Sequence, residues 1–326
     1  MIVITGAAGL IGSEVVRYLN ILGNTENLVL VDNIDHPHKF KNLQDTRYRL
    51  LLPISNLFEW LQGKEREIQA FIHLGACSNT LETNEQFLWE NNVQYSQKLA
   101  LYAMKYEKRF IYASSAATYG DGSLGFSDDH EMLGNLKPLN LYGRSKHLFD
   151  LWAKENGFLD RLVGLKYFNV FGPHEAHKGK MASMVFKTIP SVKEKGIIYL
   201  FKSHRPALYK DGEQCRDFIY VRDAVRMSCE FLNNTKSGIF NIGMGIPTTW
   251  NRLAEIIFKS WDLPVRIVYI DIPHELSLQY QDYTCAEMQK YYEEVGVTPL
   301  DGSLERGVSE CLTRYLSLYP TPVQVE

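Results

Sequence analysis

Met1-Ile2-Val3-Ile4-Thr5-Gly6-Ala7-Ala8-Gly9-Leu10-Ile11-Gly12 opens the chain, and how this stretch folds decides the architecture. Ile2 to Ile4 is a short, wholly apolar run of the kind buried on both faces of a parallel sheet. A Gly-rich break follows it, and then an amphipathic stretch reaching about Leu22. Gly6 permits a tight turn, Gly9 lets a diphosphate approach the backbone, and Gly12 lets helix and strand pack closely. The unpaired N–H groups at the helix start then face the anion. Leu28 to Val31 forms a second apolar run, closed by Asp32, where a carboxylate can take a ribose hydroxyl.

Working outward, Ala70 to Leu74, Arg109 to Ala113 and Leu162 to Tyr167 are further buried-type strands, with helical stretches at Asn91 to Tyr106 and Tyr142 to Glu155. This is the α/β pattern of a Rossmann-type doubly wound parallel sheet. Beyond Gly172-Pro173 the regularity weakens, with prolines at 190, 206, 247, 264 and 273 and a loop-like Lys202 to Gln214 segment. The expected organisation is a dinucleotide-binding domain, 1–168 with 216–243, interleaved with a smaller α+β substrate-binding domain, 169–215 with 244–326. A chain of 326 residues suits that division.

Composition excludes several classes. With 45% apolar and 22% charged residues the chain is neither disordered nor of low complexity. Lys plus Arg is 35 against 38 for Asp plus Glu, a net charge of −3 that offers no basic surface for nucleic acid. The five cysteines are scattered, without a C-x-x-C pair or zinc spacing, so no metal is expected and a reducing compartment fits. No apolar run approaches ~18 residues and no basic leader precedes the first strand, so the expectation is a cytoplasmic protein without a membrane partner.

Tyr142-Gly143-Arg144-Ser145-Lys146 places a phenol and an ammonium four residues apart, on one helical face. A phenol with a pKa near ~10 is a poor base, and a neighbouring cation favours its phenolate. Tyr142 could then exchange a proton with a substrate hydroxyl during hydride transfer, with Lys146 also holding the nicotinamide ribose. The Phe110 to Ala113 strand runs into Ser114-Ser115, and Ser115 is preferred over Ser114 as the hydroxyl that clears the strand end and bonds the reacting oxygen.

The G-x-x-G-x-x-G turn with Tyr142 and Lys146 resembles the short-chain dehydrogenase/reductase superfamily, and the rest of the chain resembles its extended, nucleotide-sugar branch. Within that branch it is most similar to the ADP-heptose 6-epimerase family. The resemblance is carried by His73 to Ser78, Asn91-Asn92, Ala113 to Gly120, Tyr142 to Lys146, Tyr167 to Pro173, Glu175, His177-Lys178-Gly179, Met181 to Ser183, Arg216-Asp217-Phe218 and Phe240 to Gly243. The H-K-G-x-M-A-S and G-A-C-S segments are its narrowest features. Nucleotide-sugar 4,6-dehydratases need an acid pair where this chain has Ala116-Ala117, so dehydration is set aside. Two alternatives stay open: a UDP-hexose 4-epimerase, which Lys178 argues against, and a non-catalytic dinucleotide-sensing protein, which would not need Ser115, Tyr142 and Lys146 together.

The resemblance implies epimerisation of an ADP-heptose at the exocyclic C6, for the inner core of lipopolysaccharide. Hydride leaves, the 6-ketone turns, and hydride returns to the other face. It implies two acid/base residues, Tyr142 and Lys178, the latter expected to be desolvated. It further implies NADP, with NAD as the alternative, held by Gly6, Gly9, Leu10, Ile11, Gly12, Asp32, Asn33, Lys39, Leu74, Gly75, Ala76, Cys77, Ser78, Asn91, Tyr142, Lys146, Val170 and Lys178. An Asp at position 32 favours NAD, and Lys39 could offset its repulsion of a 2′-phosphate. The substrate would meet Ser115, Asn169, Lys180, Lys187, Phe201, Arg216 and Tyr280. Arg216 fits a diphosphate through its planar fork, with a bridge to Asp217 as the alternative. Lys180 and Lys187 stand where the family has Ser and His, Ala7 and Ala8 where it has Gly, and Ser203 to Cys215 where its connection is shorter. A homo-oligomer, a pentamer in the family, is also implied.

Overall fold

The computed structural model describes residues 1–33, 37–297 and 303–320. Twelve strands are present among them: β1 Ile2–Thr5, β2 Leu28–Asp32, β3 Leu50–Pro53, β4 Ala70–His73, β5 Arg109–Ser115, β6 Leu162–Tyr167, β7 Asn169–Phe171, β8 Ile198–Phe201, β9 Cys215–Tyr220, β10 Gly238–Ile242, β11 Pro247–Thr249 and β12 Ile267–Ile270. Seven form one sheet in the order β10-β6-β5-β4-β1-β2-β3, with every neighbouring pair parallel. From β1 the chain winds outward through β2 and β3, then returns to β4 and winds the other way. The reversal opens a crevice beyond the carboxyl ends of β1 and β4, which is where such sheets bind ligands.

Strands β1, β2, β4, β6 and β10 are buried at every position, which explains their mostly apolar sequences. The edge strand β3 is only half-buried and ends in Pro53, and its Leu-rich run was not singled out as a strand above. The longer helices are α1 Leu10–Ile21, α2 Tyr95–Lys105, α3 Leu141–Glu155, α4 Met184–Lys195, α5 Val221–Glu230, α6 Trp250–Ser260 and α7 Leu304–Leu318. The turns before α2, Trp89–Gln94, are π-helical. Helix α5 packs on α1, and α7 lies across α6 and α4.

Two smaller sheets lie outside the main one. One joins β11, β9 and β7, and the other pairs β12 with β8. Residues 215–220, whose Arg216 end was grouped above with the first region, pair with β7 and β11; the chain rejoins the main sheet with α5 and β10. No helix among the described residues is long and apolar enough to cross a membrane.

A buried ion pair braces the centre. Asp150 on α3 accepts from the Tyr112 hydroxyl at 2.9 Å and the Ser114 hydroxyl at 2.7 Å, and lies 3.8 Å from the Lys166 ammonium of β6. Lys166 also donates to Thr118 at 2.9 Å and sits 4.3 Å over the Tyr119 ring. Burial lowers the Lys166 pKa, and Asp150 opposes that. Removing one partner strands the other in a dry interior. Asp150→Ala should therefore lower unfolding stability by about 3–5 kcal/mol, read from the urea midpoint at unchanged slope. A loss under about 1 kcal/mol would show that the pair does not brace the sheet.

Candidate active site

The phosphate turn is built by backbone packed on backbone. Gly6 has φ +68°, and a Cβ there would fall 2.7 Å from the Gly75 nitrogen, in the turn after β4. A Cβ on Gly12 would fall 2.1 Å from the Gly6 carbonyl oxygen, so no side chain fits where α1 crosses the turn. Gly9 caps α1 and donates to the Gly6 carbonyl at 3.1 Å. Leu10 is buried and Ile11 half-buried at the start of α1. These features fit a dinucleotide diphosphate: glycines held bare by contact, and a helix start above them.

Asp32 closes the far side. It accepts from the Ala8 amide at 2.8 Å, the Asn33 amide at 2.7 Å and the Lys39 ammonium at 2.8 Å. The carboxylate expected to meet a ribose is paired with Lys39, the cation named from sequence as able to offset it. Asn33 is exposed beside it. Opposite, the His73 ring spans Thr5 (2.6 Å) and Ser96 (2.8 Å), and the Gly75 amide donates to Thr5 at 3.1 Å. Burial, aided by Lys146, lowers the His73 pKa to about 3, so this bridge is neutral.

Leu74, Gly75, Ala76, Cys77 and Ser78 line the exit from β4, with Ser78 exposed. Asn92 pins this loop: it accepts from the Cys77 amide at 2.8 Å and donates to the Cys77 carbonyl and the Ser145 hydroxyl, each at 2.9 Å. Asn91, the member of the pair named above, donates to Phe87 in its own helical turn instead. The Asn-Asn doublet was the available signal, and only the helix phase tells which one faces inward.

Asn140 caps α3 by accepting from the Gly143 amide at 2.8 Å, which sets Tyr142 and Lys146 one turn apart near the helix start. Burial raises the Tyr142 pKa above its ordinary 10, the Ser115 hydroxyl pulls it back, and the Cys77 thiol raises it further. Ser115 thus faces the phenol, whereas Ser114 is committed to Asp150. Lys146 is buried and donates to the Ala113 carbonyl at 3.0 Å. Its pKa is lowered to about 8 by burial, against Asp150 and Cys77. The ammonium expected from sequence to act on the phenol is tied here to a backbone carbonyl of β5.

Lys178 lies in the 3₁₀ segment Ala176–Met181 and is not a solitary desolvated amine. Its ammonium is 2.9 Å from Glu175, whose side chain is fully buried. Met181 of the same segment accepts a hydrogen bond from Thr80, tying it to the loop after β4. Lys187 on α4 is half-buried, and burial lowers its pKa, with Glu175 opposing and Lys178 adding to the effect. Lys180 is exposed and presents its carbonyl to Lys187 at 3.3 Å.

Asn169 and Val170 on β7 pair with Phe218 and Ile219 of β9. Arg216 is buried, donates to the Cys215 carbonyl at 2.9 Å and lies 4.9 Å from the Tyr280 ring and 5.5 Å from Trp250. It does not bridge to Asp217, which takes the amides of Met244, Gly245 and Ala286. Phe201 ends β8, where it pairs with Ile270 of β12. In the 203–215 connection Arg205 pairs with Asp282 at 3.1 Å, and the His204 ring meets the edge of Tyr280. No group of three metal-binding side chains occurs among the described residues.

The profile of the NAD dependent epimerase/dehydratase family matches residues 2–243. An ADP-L-glycero-D-manno-heptose-6-epimerase of Nitratidesulfovibrio vulgaris is 45% identical over 97% of this chain and 98% of its own length. One of Fusobacterium nucleatum is 43% identical over the same shares. Among solved structures, the ADP-L-glycero-D-manno-heptose-6-epimerase of Helicobacter pylori superposes with a TM-score of 0.77 at 27% identity, covering 97% of this chain and 94% of that one. The UDP-N-acetylglucosamine 4-epimerase of Methanobrevibacter ruminantium superposes at 0.81 with 24% identity, covering 97% and 98%. That second likeness speaks for the fold. The chain belongs to the NAD dependent epimerase/dehydratase family, among relatives that carry the name ADP-L-glycero-D-manno-heptose-6-epimerase.

Proposed function

We propose that the protein converts ADP-D-glycero-D-manno-heptose to ADP-L-glycero-D-manno-heptose by oxidation and re-reduction at C6, supplying lipopolysaccharide heptose. The observation that carries this reading is a second cation, Lys178, on a segment tied to the cofactor-side loop, in addition to Ser115, Tyr142 and Lys146. A ring-carbon epimerase needs the latter three. A carbinol outside the ring moves its oxygen when the ketone turns, and so needs a proton donor at each place.

Gly6, Gly9, Gly12 and Gly75 would hold the diphosphate of the dinucleotide, and Lys146 its nicotinamide ribose. When bound, the nicotinamide supplies a reversible acceptor that takes a hydride from C6 and returns it. Tyr142, as phenolate favoured by the nicotinamide charge and by Ser115, takes the C6 hydroxyl proton as C6 becomes a ketone. After the side chain turns, Lys178 gives its proton to the oxygen as C6 is reduced. Tyr142 is then neutral and Lys178 an amine, and exchange with solvent resets both. In the reverse direction the roles exchange. Arg216 takes the substrate diphosphate, and Lys39, already neutralising Asp32, favours NADP over NAD. Homo-oligomeric assembly goes with this reading.

Incubation with ADP-D-glycero-D-manno-heptose should change the proton NMR signals of C6 and leave those of ring C4 alone. No solvent deuterium should enter C6; full incorporation there would mean deprotonation at carbon and defeat the scheme. Denatured protein should release bound NADP, and a fully active cofactor-free preparation would contradict that. Tyr142→Phe and Lys178→Met should each lower kcat by about 10²–10⁴-fold while melting normally, and Ser115→Ala should do so more than Ser114→Ala. Normal turnover by Lys178→Met would overturn the two-residue scheme.

A further inference from the structure

Glu175 is a fully buried carboxylate with four donors. Oε1 accepts from the Gly172 amide at 3.0 Å and the Ser183 hydroxyl at 2.6 Å, and Oε2 from the Ser183 amide at 2.7 Å and the Lys178 ammonium at 2.9 Å. Three of these come from fixed points. Gly172 lies in a turn pressed on α1 and α5, where a Cβ would fall 2.6 Å from Val221 and 3.0 Å from Leu10. Ser183 caps α4. The carboxylate cannot follow the lysine, so the lysine comes to it. The other groups that feel Glu175 are Lys187 from α4 and Cys311 and Tyr319 from the C-terminal region.

We propose that Glu175 is the positioning residue of Lys178: a charge anchored to the Gly172 turn and to the cap of α4 that fixes where the second proton donor stands and draws its proton back after turnover. This rests on the reading of Lys178 given above. The pair is neutral overall while Lys178 is an ammonium. Once Lys178 has given its proton to the C6 oxygen, the buried carboxylate is left without its cation, and the partly exposed edge of the lysine is the way in for a replacement proton from solvent.

The test is a double-mutant cycle on the full-length protein with ADP-heptose. Glu175→Gln should lower kcat by about 10²-fold, with KM within about twofold. In a Lys178→Met background the same change should add less than about twofold, because it acts through a group no longer there. Glu175→Asp, which keeps the charge, should recover part of the loss. Unchanged kcat in Glu175→Gln, or its full loss repeated on Lys178→Met, would overturn the proposal. Should Glu175→Gln fail to melt cooperatively, Ser183→Ala decides: a lower kcat at constant KM supports positioning, and a lower melting temperature at full kcat overturns it. Normal turnover by Lys178→Met would instead overturn the reading beneath it.

Discussion

Contact between bare backbones at the ends of β1 and β4 is the constraint on which the rest depends. Gly6 against Gly75, and Gly12 against the Gly6 carbonyl, leave no room for a methyl group. Helix α1 can therefore start directly over the turn and direct its free N–H groups into the crevice. The same closeness lets Thr5, His73 and the Gly75 amide share one hydrogen-bonded bridge across the two strand ends. The loop carrying Cys77 is thereby set against α3, where Asn92 links it to Ser145.

Behind the reacting groups stands a second layer that never meets solvent. Asp150 orders Ser114 and Tyr112 on β5 and lies opposite Lys166, while Ser115, the next residue, is left to face Tyr142. Alternation along β5 divides the labour: one serine serves the core and its neighbour the crevice. Helix α3 joins the two layers, with Tyr142 and Lys146 on its first turns and Asp150 one turn further.

The parts of this architecture that sequence made legible are those with a strong local signature. β1, β2, β4 and β6 are predominantly apolar because both their faces are covered, and the glycine turn announced itself by spacing. β3 was less legible, since its short Leu run ends in a proline and shows no alternation between a buried and an exposed face. Long-range polar ties were hidden as well. Nothing in the spacing of Glu175 and Lys178 tells that Ser183 and Gly172 converge on the same carboxylate, and nothing near Arg216 foretells that Asp217 turns to three distant amides. The Tyr142 and Lys146 helix was readable, but the carbonyl that captures Lys146 belongs to another strand.

The guanidinium of Arg216, close to the rings of Tyr280 and Trp250, has an energetic meaning of its own. Its hydration was stripped and its rotamer frozen when the chain folded, so an anion, were one to dock there, would have little water to remove from the cation and little flexibility to quench. A lysine could not inherit the arrangement, for a compact, strongly hydrated ammonium lacks the flat face that a guanidinium can lay against a ring.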